Sequence, residues 1–295
     1  MLQGVKLYYS VMKNGKGKGE INNFKKGIKY IGRNILMYSY SKEIADFILS
    51  HKYLRDEVYR YPSLCSKLHR PYLTNSLINR DKVKAITTSY RILDKRFPVR
   101  LLDRLYREGK LELCTFQGKN DSEYKLSLNL YPSYEKEGEF TLVCYNFEDK
   151  PLAKLTFGFL EDSIIIGGLQ GLEKGEDTNL IKEATKNMYG VFPKRLILEI
   201  LYLLFPEYRV LGVSREKHIY FSNHYRKRKE GKVHANYDEF WASLDGEEKD
   251  GMWLLPKKLE RKNIEEIPSK KRSLYQNRFN LLDSIFDKIL SNIDK

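Results

Sequence analysis

Between Pro151 and Phe221 the chain lays down two apolar β runs, a glycine-rich corner, an amphipathic helix and one more strand. Pro151 to Phe159 and Ile164 to Gly171 are rich in β-branched and aromatic residues, and Glu161-Asp162-Ser163 separates them, which reads as a β-hairpin. Gly167, Gly168 and Gly171 close the second run, where residues without a Cβ let another group approach the backbone. A helix is predicted from Asp177-Thr178, with Leu180, Ala184, Met188 and Leu196 inward, running out near Pro206. Leu211-Gly212-Val213-Ser214 then opens a returning strand. An extended acyl or phosphate-bearing donor suits such a corner.

Upstream the pattern changes. Lys13 to Gly19, with glycine at every second position, lacks the features of a phosphate-binding loop and reads as a connector. Phe24, Ile28, Ile31, Ile35 and Tyr38 recur at helical spacing within a helix expected from Ile21 to about Leu54. Lys25, Lys26, Lys29 and Arg33 take its other face, so the helix either lies on a membrane surface or buries against a core. Residues 55–74 read as irregular, Asn79–Arg96 as a helix with Val83, Ile86, Tyr90 and Leu93 inward, and Leu101–Gly109 as a link. Three β runs follow, Leu111–Phe116, Tyr124–Leu130 and Glu139–Phe147. The expected class is α+β: a mostly helical, basic region over 1–110, then an antiparallel sheet over 111–295 ending in a helix that packs through Leu281, Leu282, Ile285, Ile289 and Leu290.

Charge is placed unevenly. The formal net charge is +14. Residues 1–110 hold 24 Lys and Arg against 9 Asp and Glu, a surplus of 15, while the remainder holds 29 against 30. Such a surplus attracts polyanions, whether RNA, anionic headgroups or a phosphorylated carrier; it also fits a solvated basic surface. The three cysteines, Cys65, Cys114 and Cys144, lack CxxC spacing and read as reduced, buried thiols. No stretch reaches the ~18 consecutive apolar residues of a membrane helix, and Met1 to Lys6 carries no apolar signal region. A cytoplasmic protein is expected, peripheral to the inner membrane at most.

Several ordered segments carry a resemblance. Gly168-Leu169-Gln170-Gly171, Pro193-Lys194-Arg195-Leu196, Leu211-Gly212-Val213-Ser214, His218-Ile219-Tyr220, Tyr237-Asp238-Glu239-Phe240-Trp241 and Ile267-Pro268-Ser269-Lys270-Lys271-Arg272-Ser273 are similar to the VirK/YbjX family. His69-Arg70-Pro71-Tyr72-Leu73 and Leu105-Tyr106-Arg107-Glu108-Gly109 fit as well, so the resemblance covers roughly residues 60 to 290. That family is bacterial and associated with virulence and envelope stress, which implies a peptide or envelope-precursor acceptor. The order strands, glycine corner, helix, strand also resembles the acetyltransferase-like GNAT fold. The Gln/Arg-x-x-Gly-x-Gly/Ala loop of that fold is replaced here by Gly168-Leu169-Gln170-Gly171-Leu172-Glu173, which argues against a coenzyme A donor. The glycine pattern is loosely similar to relatives that use aminoacyl-tRNA, so an acyl-carrier or tRNA donor is the expectation, with no tightly bound cofactor.

Candidate chemistry follows from these segments. His218 lies just past a strand, beside Ser214 and Tyr220, where it can act as general base with Tyr220 returning a proton to the leaving group; a histidine satisfied by a core hydrogen bond is the alternative. Asp238 can orient that base, or Tyr237 to Trp241 is a short packing helix with its acids in water. Gly167, Gly168, Gln170, Gly171, Lys194 and Arg195 are the candidate donor-binding residues. Arg70, Arg226, Arg228, Lys270, Lys271 and Arg272 are candidates for phosphate or another polyanion, or else solvated faces. His69, His224 and His234 have weaker cases, and His51 has none. Neither the histidine spacing nor the cysteines form a metal set, and no nucleophile elbow occurs. Two functions remain, an acyl- or aminoacyl-transferase of GNAT-like fold and a polyanion-binding protein without catalysis.

Overall fold

The computed structural model describes residues 2–15, 24–130, 134–172, 177–222, 225 and 237–294. Three short helices open the chain: α1 (Leu2–Asn14), α2 (Phe24–Leu36) and α3 (Tyr38–Ser50). The helix expected over 21–54 is therefore two helices meeting at Met37. Lys13 and Asn14 of the expected connector end α1, and residues 16–19 lie outside the described residues. After α4 (Leu54–Glu57) and a 3-10 helix over Pro62–His69 comes α5 (Asn79–Arg96), with the expected Val83, Ile86, Tyr90 and Leu93 buried. Asp81 in its first turn and Lys95 and Arg96 in its last complement the helix dipole.

Leu101–Gly109 is not a link but most of α6 (Val99–Glu108). Pro98 starts that helix, Leu102, Leu105 and Tyr106 bury one face, and Gly109 ends it at φ 72°, a left-handed position that costs other residues more. Strands β1 (Lys110–Gln117), β2 (Glu123–Leu130), β3 (Phe140–Asn146), β4 (Pro151–Leu160) and β5 (Ser163–Gln170) form an antiparallel meander. The helix expected from Asp177 divides into α7 (Asn179–Asn187) and α8 (Pro193–Leu204). Gly190 turns the chain there at φ 82°, and Pro193, whose ring fits a first helical turn, restarts it. Strand β6 (Arg209–Val213) returns parallel to β5. Then come α9 (Tyr237–Ala242), the short strands β7 (Glu247–Lys249) and β8 (Met252–Leu254), and α10 (Ser269–Asp294).

The protein is thus α+β, and its described residues form an eight-stranded sheet in the order β1-β2-β3-β4-β5-β6-β8-β7, in which, among them, only β5 and β6 run parallel. Every residue of β5 but the last is buried, which requires cover on both faces. On one side α5 crosses β4, where Ser89 Oγ accepts from the Phe159 amide at 2.8 Å. Phe157 and Phe159 face the other side and meet Phe205 at the end of α8. One apolar core runs from Leu7 in α1 to Ile293 in α10. α10 packs on the outer strand β1, with the Asn292 amide donating to the Leu113 carbonyl at 3.0 Å, and so covers an otherwise open edge. No helix among the described residues is long and apolar enough to cross a membrane.

Candidate functional site

The parallel pair β5–β6 is short. Its register runs from Ser163 opposite Arg209 to Ile166 opposite Gly212, and β5 then continues to Gln170 paired with β4 but not with β6. At the parting, Thr156 pairs with Gly168 and Phe157 with Ile166, so Gly167 is the extra residue of a β-bulge. What comes against this bulge is the segment Glu135-Lys136-Glu137-Gly138-Glu139, which leads into β3. A Cβ on Gly167 would overlap the Glu137 carbonyl, and one on Gly168 would overlap the Glu137 carboxylate. The two glycines are therefore where they are because Glu137 lies against them.

Glu137 and His218 are both sealed from solvent, their side chains 0% and 1% exposed. His218 Nε2 lies 3.3 Å from Glu137 Oε1. The approach is outside hydrogen-bond geometry, so these two buried atoms face each other without a hydrogen-bond partner among the described residues. The other carboxylate oxygen accepts from Gln170 Nε2 at 2.7 Å, and Gln170 Oε1 accepts from the Tyr237 hydroxyl at 2.9 Å. On the far side of the imidazole, Nδ1 accepts from the Tyr220 amide at 3.4 Å. The rings of Tyr220 and Tyr237 flank His218 at 5.2 and 5.4 Å. Burial pushes the Glu137 carboxyl above the usual carboxylate range, and the neighbouring His218, Gln170 and Lys136 offset this only in part. Burial likewise pushes the Tyr220 phenol up to about 12, with the Glu137 carboxylate adding to the effect.

The same acidic segment is gripped from its other side by the amino-terminal region. Glu139 is buried and accepts from Lys67 Nζ at 2.6 Å, the Tyr72 hydroxyl at 2.6 Å and the Tyr90 hydroxyl at 2.8 Å. Arg70 pairs with Glu135, and the Leu73 amide donates to the Lys136 carbonyl at 2.8 Å. The next residues reach across to the turn before His218, where the Asn75 amide donates to the Lys217 carbonyl at 2.9 Å. Three alternate glutamates thus meet three different side chains, Arg70, His218 and Lys67. Glu139 is fully satisfied, whereas Glu137 is not.

The structure brings Gly167, Gly168, Gln170 and His218 together, with Tyr220 alongside. Gln170, Gly171, Tyr220 and Lys194 form the half-exposed rim of the group. The Lys194 side chain passes close to Gly171, and burial lowers its amine below the usual lysine range. Ser214 is buried and built into a turn: its hydroxyl accepts from the Lys217 amide at 3.2 Å and its carbonyl from the His218 amide at 3.1 Å. Asp238 turns away from His218, accepting from the Arg215 amide at 3.1 Å and from Trp253 Nε1 at 2.9 Å. Arg195 points to Glu199 and the Glu260 carbonyl instead of the glycine corner.

Arg272 donates to the Ile267 and Glu265 carbonyls and so ties down the start of α10, where Lys270 and Lys271 are exposed. Arg226 and Arg228 lie outside the described residues, as do His224 and His234. His69 stacks edge-on against Tyr30. His51 has a structural role, accepting from the Tyr53 and Leu54 amides and lying 2.9 Å from Asp94. The three cysteines are free and buried, and burial pushes each thiol up to about 12, which keeps it un-ionised at neutral pH.

Sequence reasoning missed Glu137. The signal that was present is the run Glu135, Glu137, Glu139 at the entrance to an apolar strand, where alternate carboxylates cannot all face water.

A family described as a protein of unknown function (DUF535) matches residues 19–291. The chain is 36% identical over 265 residues to Escherichia coli K12 "Uncharacterized protein YbjX", covering 87% of this chain and 80% of that one. An uncharacterized protein of Haemophilus influenzae is 24% identical over 290 residues, covering 94% of each chain. A second one from that organism is 28% identical over 167 residues, covering 55% of each. No solved structure matches. With a family match across nearly the whole chain, and a relative this similar over most of it, the protein belongs to the VirK/YbjX (DUF535) family.

Proposed function

We propose that the protein is an acyl- or aminoacyl-transferase of GNAT-like architecture in which Glu137 and His218 together handle the proton of an amine or hydroxyl acceptor. The observation that carries this reading is the pair of facing, buried, unpartnered atoms, Glu137 Oε1 and His218 Nε2. Native interiors pair their polar groups, and a buried exception beside a carboxyl of raised pKa is characteristic of a functional site. A hairpin, two helices and a parallel returning strand that parts from its neighbour at a bulge support the GNAT-like comparison.

The donor's ester or thioester lies along the rim formed by Gly171, Gln170 and Lys194, whose ammonium faces the charge that develops on the carbonyl oxygen. The acceptor attacks that carbonyl and its proton passes to the Glu137 carboxylate, which the His218 ring holds in place. The bond to the thiol or tRNA hydroxyl breaks, the leaving group takes the Tyr220 phenol proton, and the proton held by Glu137 then restores the phenol, so that both groups end as they began. A peptide or envelope precursor is the acceptor class in this reading.

Native mass spectrometry of the protein purified from its own host tests it. A retained acyl-thioester, acyl carrier or aminoacyl-tRNA identifies the donor class and supports the reading. Bulk RNA retained with no donor points to the polyanion-binding alternative.

A further inference from the structure

The hairpin of α1 and α2 takes no part in the site above. Its two helices carry Lys6, Lys13, Lys25, Lys26, Lys29 and Arg33 and no Asp or Glu. In α2 the buried side is Gly27, Tyr30 and Asn34, with Ile31 half-buried. Ile28 is 58% exposed, Ile35 56% and Leu36 87%, and α1 adds the exposed Val5 and Tyr9. Gly27 lies against Met12, and Val5 and Ile35 line one shallow groove, so the helices run antiparallel. Tyr9 is one turn from Val5, and Ile28 is two turns from Ile35, so each shares a helix face with the exposed residue that lines the groove. Lys25 and Lys29 flank Ile28 and are exposed.

Charge decides what covers this face. A second copy would bring the same cations against themselves. A nucleic acid would satisfy the lysines and leave the isoleucines in water. An anionic bilayer accommodates both, apolar side chains at the acyl boundary and ammonium groups among phosphates. We propose that the α1–α2 hairpin docks the protein on a membrane surface bearing anionic phospholipid headgroups. This goes beyond the transferase reading and does not depend on it.

The test is co-sedimentation of the full chain with phosphatidylcholine vesicles made with and without phosphatidylglycerol. Binding is expected only with phosphatidylglycerol, falling as salt rises. The double substitution Lys25→Glu and Lys29→Glu should weaken it by at least about 20-fold, since each basic residue near such a surface contributes about 5-fold. Ile28→Ser with Ile35→Ser should also weaken it. All four positions are exposed, and far-UV circular dichroism confirms that both variants fold. Equal recovery on neutral vesicles overturns the proposal, as does wild-type binding by both variants. A dimer dispersed by the isoleucine substitutions, or RNA binding that survives them, overturns it too. His218→Ala should bind vesicles as the wild type does, which keeps this outcome separate from that of the active-site account.

Discussion

His218 Nε2 lies 3.3 Å from Glu137 Oε1 in a pocket closed to water, at the point where β5 and β6 part. Around that pair meet the Gly168 to Gly171 corner, the His218 to Tyr220 turn and Tyr237 of α9, while the segment from Lys67 to Leu73 holds the same acidic run from behind. Segments far apart in the chain thus share one short partner, Glu135 to Glu139.

The pH dependence of stability follows from the direction of the Glu137 shift. Burial raises its folded pKa above the value in the unfolded chain, so its contribution is full below the ordinary glutamate range and is lost as pH rises through the raised value. Glu137→Gln lacks that loss. Thermal melts of the two proteins should therefore diverge in favour of the variant as pH rises from about 4 towards neutral. A wild type that gains on the variant over that range would mean the ionised carboxylate is the favoured form.

Gly168→Ala forces a methyl group into the Glu137 carboxylate, and neither strand nor carboxylate can withdraw without breaking the Gln170 contact. Overpacking of this kind costs about 1–3 kcal/mol. Urea unfolding should show that loss. Gly171→Ala, whose added carbon would only touch the flexible Lys194 side chain at 3.6 Å, should be close to neutral.

The two buried glutamates should respond differently to loss of their neighbours. Lys67→Met strands the Glu139 carboxylate in a buried site, with two tyrosines still donating to it. Removing one partner of a buried ion pair costs about 3–5 kcal/mol. His218→Ala removes a ring that makes no hydrogen bond to Glu137, so chemical denaturation should report a smaller loss, about 1–3 kcal/mol. Equal losses would make the Glu137–His218 contact a structural ion pair like the other.

Asp238→Asn separates anchoring from proton chemistry. Asp238 holds the Arg215 amide and the Trp253 indole and does not touch His218. The variant should lose about 1 kcal/mol of stability, as for a typical internal hydrogen bond, and keep the turnover of the wild type. Loss of turnover in a stably folded variant would restore Asp238 as an orienting group.

Local pattern made much of the fold legible. The spacing of Val83, Ile86, Tyr90 and Leu93 placed α5 to its ends, and the alternation in Tyr124–Leu130 placed β2 within one residue. Where periodicity continued across a break it misled: the turn at Gly190 before Pro193 divides a helix whose apolar positions read as one. The site was legible only in half. Gly168, Gln170, His218 and Tyr237 sit in recognisable segments, but Glu137 has no motif of its own. Its role comes from a sheet register and a bulge that bring a loop over two glycines, which no local spacing records.

The most direct measurement is donor turnover. A pool of aminoacyl-tRNA and acyl-carrier thioesters, incubated with amine acceptors, is followed for loss of the ester in the wild type, Glu137→Gln and His218→Ala, each confirmed as folded. The account predicts that the wild type consumes one donor class and that both variants slow it by about 10²–10⁴-fold, the usual contribution of a positioned acid–base group. A wild type that consumes neither class, or variants that keep its rate, would contradict it.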